Sequence, residues 1–153
     1  MFGFGLGGAS LGFERSGTSR EVGWAGNLRI GYALRPDLVV HFEGTAWWRT
    51  FNESYGQVRW THRAGMAAVT FYPPIERLFL RTGVGYGKLS SDPAITAAAG
   101  DETGVAFLAA LGYESRLSAR LALASQFEFI HQDLERLGTA NLVGFTLGPN
   151  LYW

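Results

Sequence analysis

The chain has 153 residues, and its thirteen Lys and Arg balance thirteen Asp and Glu, so it carries no basic footprint for nucleic acid. It has no cysteine, which excludes a disulfide frame and a thiolate metal site. Hydrophobic residues make up 47% and charged residues only 17%, yet no run approaches the roughly 18 apolar residues that a membrane helix needs.

The length predicts one domain over residues 1–153. Phe2, Phe4 and Leu6 alternate with Gly3, Gly5 and Gly7, and the apolar phase then moves to Ala9, Leu11 and Phe13. That one-residue shift beside Gly7-Gly8 predicts a β-bulge. After the polar stretch Glu14–Arg20, alternation returns with Val22, Trp24, Leu28, Ile30, Tyr32 and Leu34 on one face. Asn27 and Arg29 fall on the other. Arg35-Pro36-Asp37 is a tight turn, because Pro fixes φ and Asp bonds its own backbone. It leads into Leu38–Thr50, where Leu38, Val40, Phe42 and Trp48 oppose Val39, His41, Glu43, Thr45, Trp47 and Arg49. A strand sends alternate side chains to opposite faces, whereas a helix would mix the two sets.

TFNESYGQ is then expected as a longer connection. The next strand is read with Val58, Trp60, Ala64, Met66, Ala68 and Tyr72 on the apolar face, and with Arg59, Thr61 and Arg63 opposite. Pro73-Pro74 ends it, since neither can donate to a ladder. Leu78, Leu80, Val84 and Tyr86 oppose Arg81 and three glycines. Residues 89–102 form the longest connection. Val105, Phe107, Leu111 and Tyr113 oppose Glu114, and Leu121, Leu123, Phe127 and Phe129 oppose Gln126 and Glu128. The last strand carries Val143, Phe145, Leu147, Leu151 and Trp153 on one face.

About eight strands result. Connections alternate long (near Ser16, Asn52, Pro93 and Leu137) with short (Arg35–Asp37, Pro73–Glu76 and Ser115–Ala119). That asymmetry, with apolar faces over about 9–11 residues, predicts an all-β, eight-stranded antiparallel up-and-down transmembrane β-barrel with both termini periplasmic. The polar face then points into a lumen that side chains fill. A water-soluble barrel would have to place some ten aromatic side chains in that same narrow space. The aromatics fall near strand ends: Trp24, Trp48, Trp60 and Tyr86 toward the long connections, Tyr32, Tyr72, Tyr113 and Trp153 toward the short ones. Two belts of amphipathic rings at the membrane interfaces are expected.

On these features the whole chain resembles the small bacterial outer-membrane β-barrels of the OmpA/OmpX-like class. GWAGNLRIGYALRPDLVVHFEGTAWW and FYPPIERLFLRTGVGYG are similar to the repeating strand–turn–strand units of that superfamily, and VGFTLGPNLYW to its terminal strand. The resemblance implies residence among outer-membrane lipids and lipopolysaccharide. It also implies recognition of the C-terminal strand by the barrel-assembly machinery. An exported chain of this class loses its signal peptide, and none precedes the first strand here. Pro149 departs from the usual terminal pattern and is expected where no ladder bond is needed.

Within the lumen, Arg29, Arg63 and Arg81 with Glu43, Glu114 and Glu128 are expected to form a charge network. A buried charge left unpaired costs several kcal/mol, so such groups must find partners. The network either simply fills the lumen or acts as a gate for a narrow conduit for small solutes or ions. Excess arginine, with Arg59 counted, would favour anions. A lipid-modifying enzyme is the less favoured class: His131 and Asp133 share a face, but Ser125 lies some 20 Å along the strand, at roughly 3.3 Å per residue. No His spacing suits a metal, and no cofactor is implied. Connections bearing Arg15, Arg20, Glu53, Tyr55, Asp92, Asp101 and Glu102 offer protein contacts. A conduit for hydrophobic molecules is disfavoured, since Gly, Arg and Glu dominate the face assigned inward.

Overall fold

The computed structural model describes residues 1–13, 20–53, 56–92, 101–135 and 138–153. Eight strands form one closed antiparallel barrel in sequence order: β1 (Phe2–Phe13), β2 (Glu21–Arg35), β3 (Leu38–Glu53), β4 (Gly56–Phe71), β5 (Leu78–Asp92), β6 (Glu102–Arg116), β7 (Leu121–Leu134) and β8 (Gly138–Leu151). β1 closes the sheet by pairing with both β2 and β8. Closure leaves no edge, so backbone polar groups are paired without water, which a barrel in lipid requires. Both termini and three short turns lie at one end, here the terminal end; the other connections lie at the far end.

Strands of 12–16 residues exceed the expected 9–11. The surplus comes from connections expected to be long. β3 and β4 stay paired up to Glu53 and Gly56, and β7 and β8 up to Leu134 and Gly138. Only the β1–β2 connection keeps its expected length, and that between β5 and β6 is shortened because β5 runs on to Asp92, so the far end is extended by sheet more than by loop. At the terminal end, Arg35 clamps its own turn through two bonds to the Asp37 carboxylate.

Large apolar side chains stand exposed around the outside, among them Phe2, Leu28, Ile30, Phe42, Val84 and Phe127. Exposed apolar area on this scale is what a lipid-facing surface requires. The interior is divided along the barrel axis. Toward the terminal end it holds Arg29, Glu43, Arg81, Gln126 and Glu128; toward the far end it holds Leu11, Trp47, Leu108, Ile130 and Leu142.

Two sequence expectations fail here for one reason, which is pairing register. The bulge at Gly7-Gly8 is absent, because the β1–β2 ladder runs unbroken from Phe2–Ile30 to Leu11–Glu21. Ala9, Leu11 and Phe13 therefore keep the inward phase of Gly3, Gly5 and Gly7 and join the far-end core. In β4 the assigned faces are reversed. Directly opposed residues share a face, and Glu43 opposes Met66 while Trp47 opposes His62. Met66, Ala64 and Ala68 are thus buried inside, and Arg59 and Arg63 stand outside. An arginine on the lipid face costs about 2–4 kcal/mol at the membrane midplane but only about 0–1 near the interface. Both arginines lie in the far half of β4, where a long side chain can reach head-group level.

The natural absence of cysteine makes this testable. In refolded protein, Arg63→Cys is expected to react with a water-soluble thiol reagent, while Met66→Cys stays protected until unfolding. Protection at 63 with labelling at 66 would restore the opposite facing.

Candidate functional site

The charged lumen is built where four strands bring long polar side chains to one level. Arg29 on β2 and Glu43 on β3 oppose each other in the ladder. Arg81 on β5 reaches across to place Nη1 at 3.0 and 3.1 Å from the two Glu43 carboxylate oxygens, with both side chains buried. Gln126 on β7 links the rest. Its Oε1 accepts from Arg81 Nη2 at 2.6 Å and from Arg29 Nη1 at 3.0 Å, while its Nε2 donates to Glu128 Oε2 at 2.9 Å. Asn27 donates to Glu128 and to the Thr146 hydroxyl. Thr70 accepts from Arg81 Nε and is bonded to His41. Two guanidiniums meet two carboxylates, so the formal charges cancel. Glycine makes this possible: a Cβ on Gly3 would lie 2.4 Å from Asn150 Oδ1 and 3.0 Å from Arg29 Nε.

Of the six residues expected in one network, Arg29, Glu43, Arg81 and Glu128 come together. Glu114 and Arg63 do not. Glu114 forms a separate latch at the terminal end. Its Oε2 accepts from Asn150 Nδ2 at 2.6 Å, from Tyr152 at 2.6 Å and from Tyr72 at 3.3 Å, and the two phenols lie 3.0 Å apart. Arg63 is outside the barrel with Arg59, so the excess positive lumen charge expected from them is absent.

The aromatic positions divide in the same way. Trp24, Tyr32, Trp48, Tyr86, Tyr113 and Trp153 are on the outside. Trp60 instead turns inward and packs edge-on against Phe13, centroids 5.5 Å apart, because β4 is inverted. Tyr72 belongs to the Glu114 latch and not to a belt. Sequence reasoning also missed the roles of Gln126 and Tyr152. Gln126 carries no charge, and Tyr152 lies off the alternating pattern; partners across the barrel are what reveal both.

Beyond the ion network the lumen changes character. Trp47 is 0% exposed and donates its indole N–H to the Ala9 carbonyl at 3.0 Å. Leu11, Leu108, Ile130, Leu142 and Met66 fill the same region, so this half of the lumen is apolar although Gly, Arg and Glu were expected to dominate the inward face. One buried polar pair sits in this half, His62 Nε2 to Gln132 Oε1 at 2.5 Å. Gly87 leaves it room, since a Cβ there would meet the Gln132 amide at 2.4 Å.

The Ser, His and Asp considered for catalysis lie away from this network. On the outer face His131 binds Asn141 at 2.8 Å and lies 3.4 Å from Asp133. Ser125 is outside too, six residues away on β7. Among the described residues no group of three His, Cys, Asp or Glu could hold a metal. Of the residues expected in the connections, Arg15 and Tyr55 lie outside the described residues, and Glu102 is buried on β6.

No protein-family model matches the chain, and no curated protein does. Solved structures do. Neisserial surface protein A aligns over 99% of this chain and 96% of its own, with a TM-score of 0.77 at 9% identity. This is the fold of the small outer-membrane β-barrels. Ail, the attachment invasion locus protein of Yersinia pestis, matches over 98% of this chain and 95% of its own, with a TM-score of 0.66 at 17% identity. The N-terminal β-barrel domain of Pseudomonas aeruginosa OprF matches over 97% and 96%, with a TM-score of 0.53 at 13% identity.

Glu43→Ala is expected to destabilise the refolded barrel by about 3–5 kcal/mol, because Arg81 stays buried without its carboxylate. Removing both charges by Glu43→Met with Arg81→Leu is expected to recover much of that loss. Denaturant unfolding from detergent micelles checks the pair; equal loss in both variants would show that shape and not charge is at stake.

The latch gives a pH effect. Burial and the nearby Glu114 raise the Tyr72 pKa, and burial with the neighbouring phenol raises that of Tyr152. Groups whose pKa is raised on folding lend stability that is complete below their unfolded value, near 10, and fades as pH rises above it. Thermal stability of the wild type is therefore expected to fall above pH about 10. In Tyr72→Phe/Tyr152→Phe the same alkaline range should leave stability flatter.

Proposed function

We propose that this chain is an integral outer-membrane protein whose lumen is plugged and whose role is structural or in surface contact. The exposed apolar band and the barrel fold support the location. The two layers inside support the plug. The network of Arg29, Arg81, Glu43 and Glu128 is charge-balanced, and the apolar layer around Trp47 adds a barrier that a hydrated ion cannot cross cheaply. Gate-like re-pairing of Arg81 would also have to open that second layer.

In this reading the terminal end faces the periplasm and the extended far end faces outward. The exterior aromatic rings at the two ends anchor the barrel at the two interfaces. The final strand serves as the contact for the barrel-assembly machinery. Pro149 suits that strand because the β1–β8 ladder skips its position and that of Gly148. The outward-projecting hairpins offer the surface for protein contacts, a use in keeping with the attachment named for Ail. No enzymatic step is assigned, since Ser125, His131 and Asp133 do not form a triad.

The deciding experiment is conductance in a planar bilayer, with insertion verified by heat-dependent gel mobility. The wild type is expected to add no discrete current steps above background. Reproducible steps that change in Glu128→Ala would favour the gated channel instead.

A further inference from the structure

The outer face of β3–β5 carries a cluster of cationic side chains, Arg59, Arg63 and Lys88. Arg63 lies directly opposite Lys88 on β5 and opposite Ala46 on β3. Arg59 is two repeats of the pleat further out, four residues along β4, or roughly 13 Å. Lys88 is already occupied by Asp101, Nζ to Oδ2 at 2.7 Å. Arg59 has Asp92 as its register neighbour on β5. Among the described residues neither Arg59 nor Arg63 makes an ion pair or hydrogen bond, although both sit on exposed sheet.

Two outer grooves meet at Arg63. One of about 310 Å³ runs along Ala46, Trp48, Thr61 and Arg59. The other, about 570 Å³, runs along Gly65, Tyr86, Gly87 and Lys88. Toward the terminal end the outer surface drops to Gly44 and Gly65, which oppose each other in the ladder. A Cβ on Gly44 would touch nothing within 4 Å, whereas one on Gly65 would lie 3.1 Å from the Phe42 ring, so the trough is open over Gly44 and walled by Phe42 beside it. The trough leads on to a third groove bounded by Ile30, Phe42, Ala67 and Val69. Cationic side chains thus cap an apolar track that runs down the membrane face, flanked by Trp48 and Tyr86.

We propose that this is a lipid site, in which Arg63 and Arg59 hold the phosphate of a phosphorylated outer-leaflet glycolipid and one acyl chain lies in the Gly44–Gly65 trough. The occupant is the lipopolysaccharide that surrounds the far end in the orientation given above, so the site rests on that orientation. Guanidinium suits the task because it bonds phosphate oxygens through two parallel N–H groups and is weakly hydrated. Its long stem lies along the apolar surface while the head reaches the phosphate layer. Gly44 lets an acyl chain approach the backbone closely beside the Phe42 ring, and Trp48 and Tyr86 set the depth of the head group.

The test uses the full refolded chain in detergent with diphosphoryl lipid A, followed by native mass spectrometry of the bound fraction. Wild type is expected to retain one diphosphoryl lipid A at least about tenfold better than the same lipid stripped of phosphate, the scale of a single charge-assisted contact. Arg59→Ala/Arg63→Ala is expected to lose that preference while keeping its heat-dependent gel shift. Gly44→Leu should weaken binding of the full lipid with both arginines in place. Equal retention by wild type and the double-arginine variant would overturn the site. Displacement of the lipid by millimolar inorganic phosphate would overturn the lipid assignment in favour of free anion binding. A silent bilayer trace with no lipid preference would sink this site alone, whereas conductance steps would sink the plugged-lumen reading alone.

Discussion

Closure of β1 onto β8 is the constraint on which the interior depends. A sheet with no free edge has one inside and one outside, and each residue's face follows from its register with two neighbours. Once His41, Glu43 and Trp47 point inward, the residues opposing them on β4 must do so too, whatever their polarity. The arginines of β4 are therefore driven outside, and Met66 and Trp60 inside. Pairing is worth many backbone hydrogen bonds at once, so it outweighs the preference of a few side chains.

The interior then solves two packing problems. Near the terminal end, long charged side chains cross the lumen and must satisfy one another, because little water is there to do it. Gln126 matters here as a neutral bridge: its two ends match a donor pair on one side and a carboxylate on the other. Glycines on β1 supply the space these side chains occupy. Near the far end the same narrow cross-section is filled by leucine, isoleucine and tryptophan, which need no partners. The boundary falls at a similar level on several strands: Asn27 gives way to Ala25, Thr45 to Trp47, Glu128 to Ile130 and Thr146 to Leu142.

Much of this was legible from alternation. Six strands announced both faces clearly or nearly so, and the short turn at Arg35–Asp37 was readable from Pro and Asp. β4 was not, because Val58, Trp60 and Met66 look like lipid-facing residues when the lumen is assumed to be polar throughout. β1 misled for the same reason: Ala9 and Leu11 suggested a phase shift only because an apolar interior was not expected. Lengths of connections were also misread, since polar residues such as Asn52 and Gln57 can extend a hairpin beyond the membrane as readily as they can form a loop.

By itself, the sequence determined the class: period-two alternation, abundant glycine and aromatics, and a face with too many rings for a small lumen admit little besides an inside-out barrel. It also pointed Arg29, Glu43, Arg81 and Glu128 inward, because they sit on strands whose opposite faces are plainly apolar. Tertiary structure alone decided who pairs with whom, that Glu114 closes a latch with Tyr72 and Tyr152, and that Arg59 and Arg63 lie outside. These outcomes depend on cross-strand register and on distances across the barrel, and alternation along one strand carries no information about either.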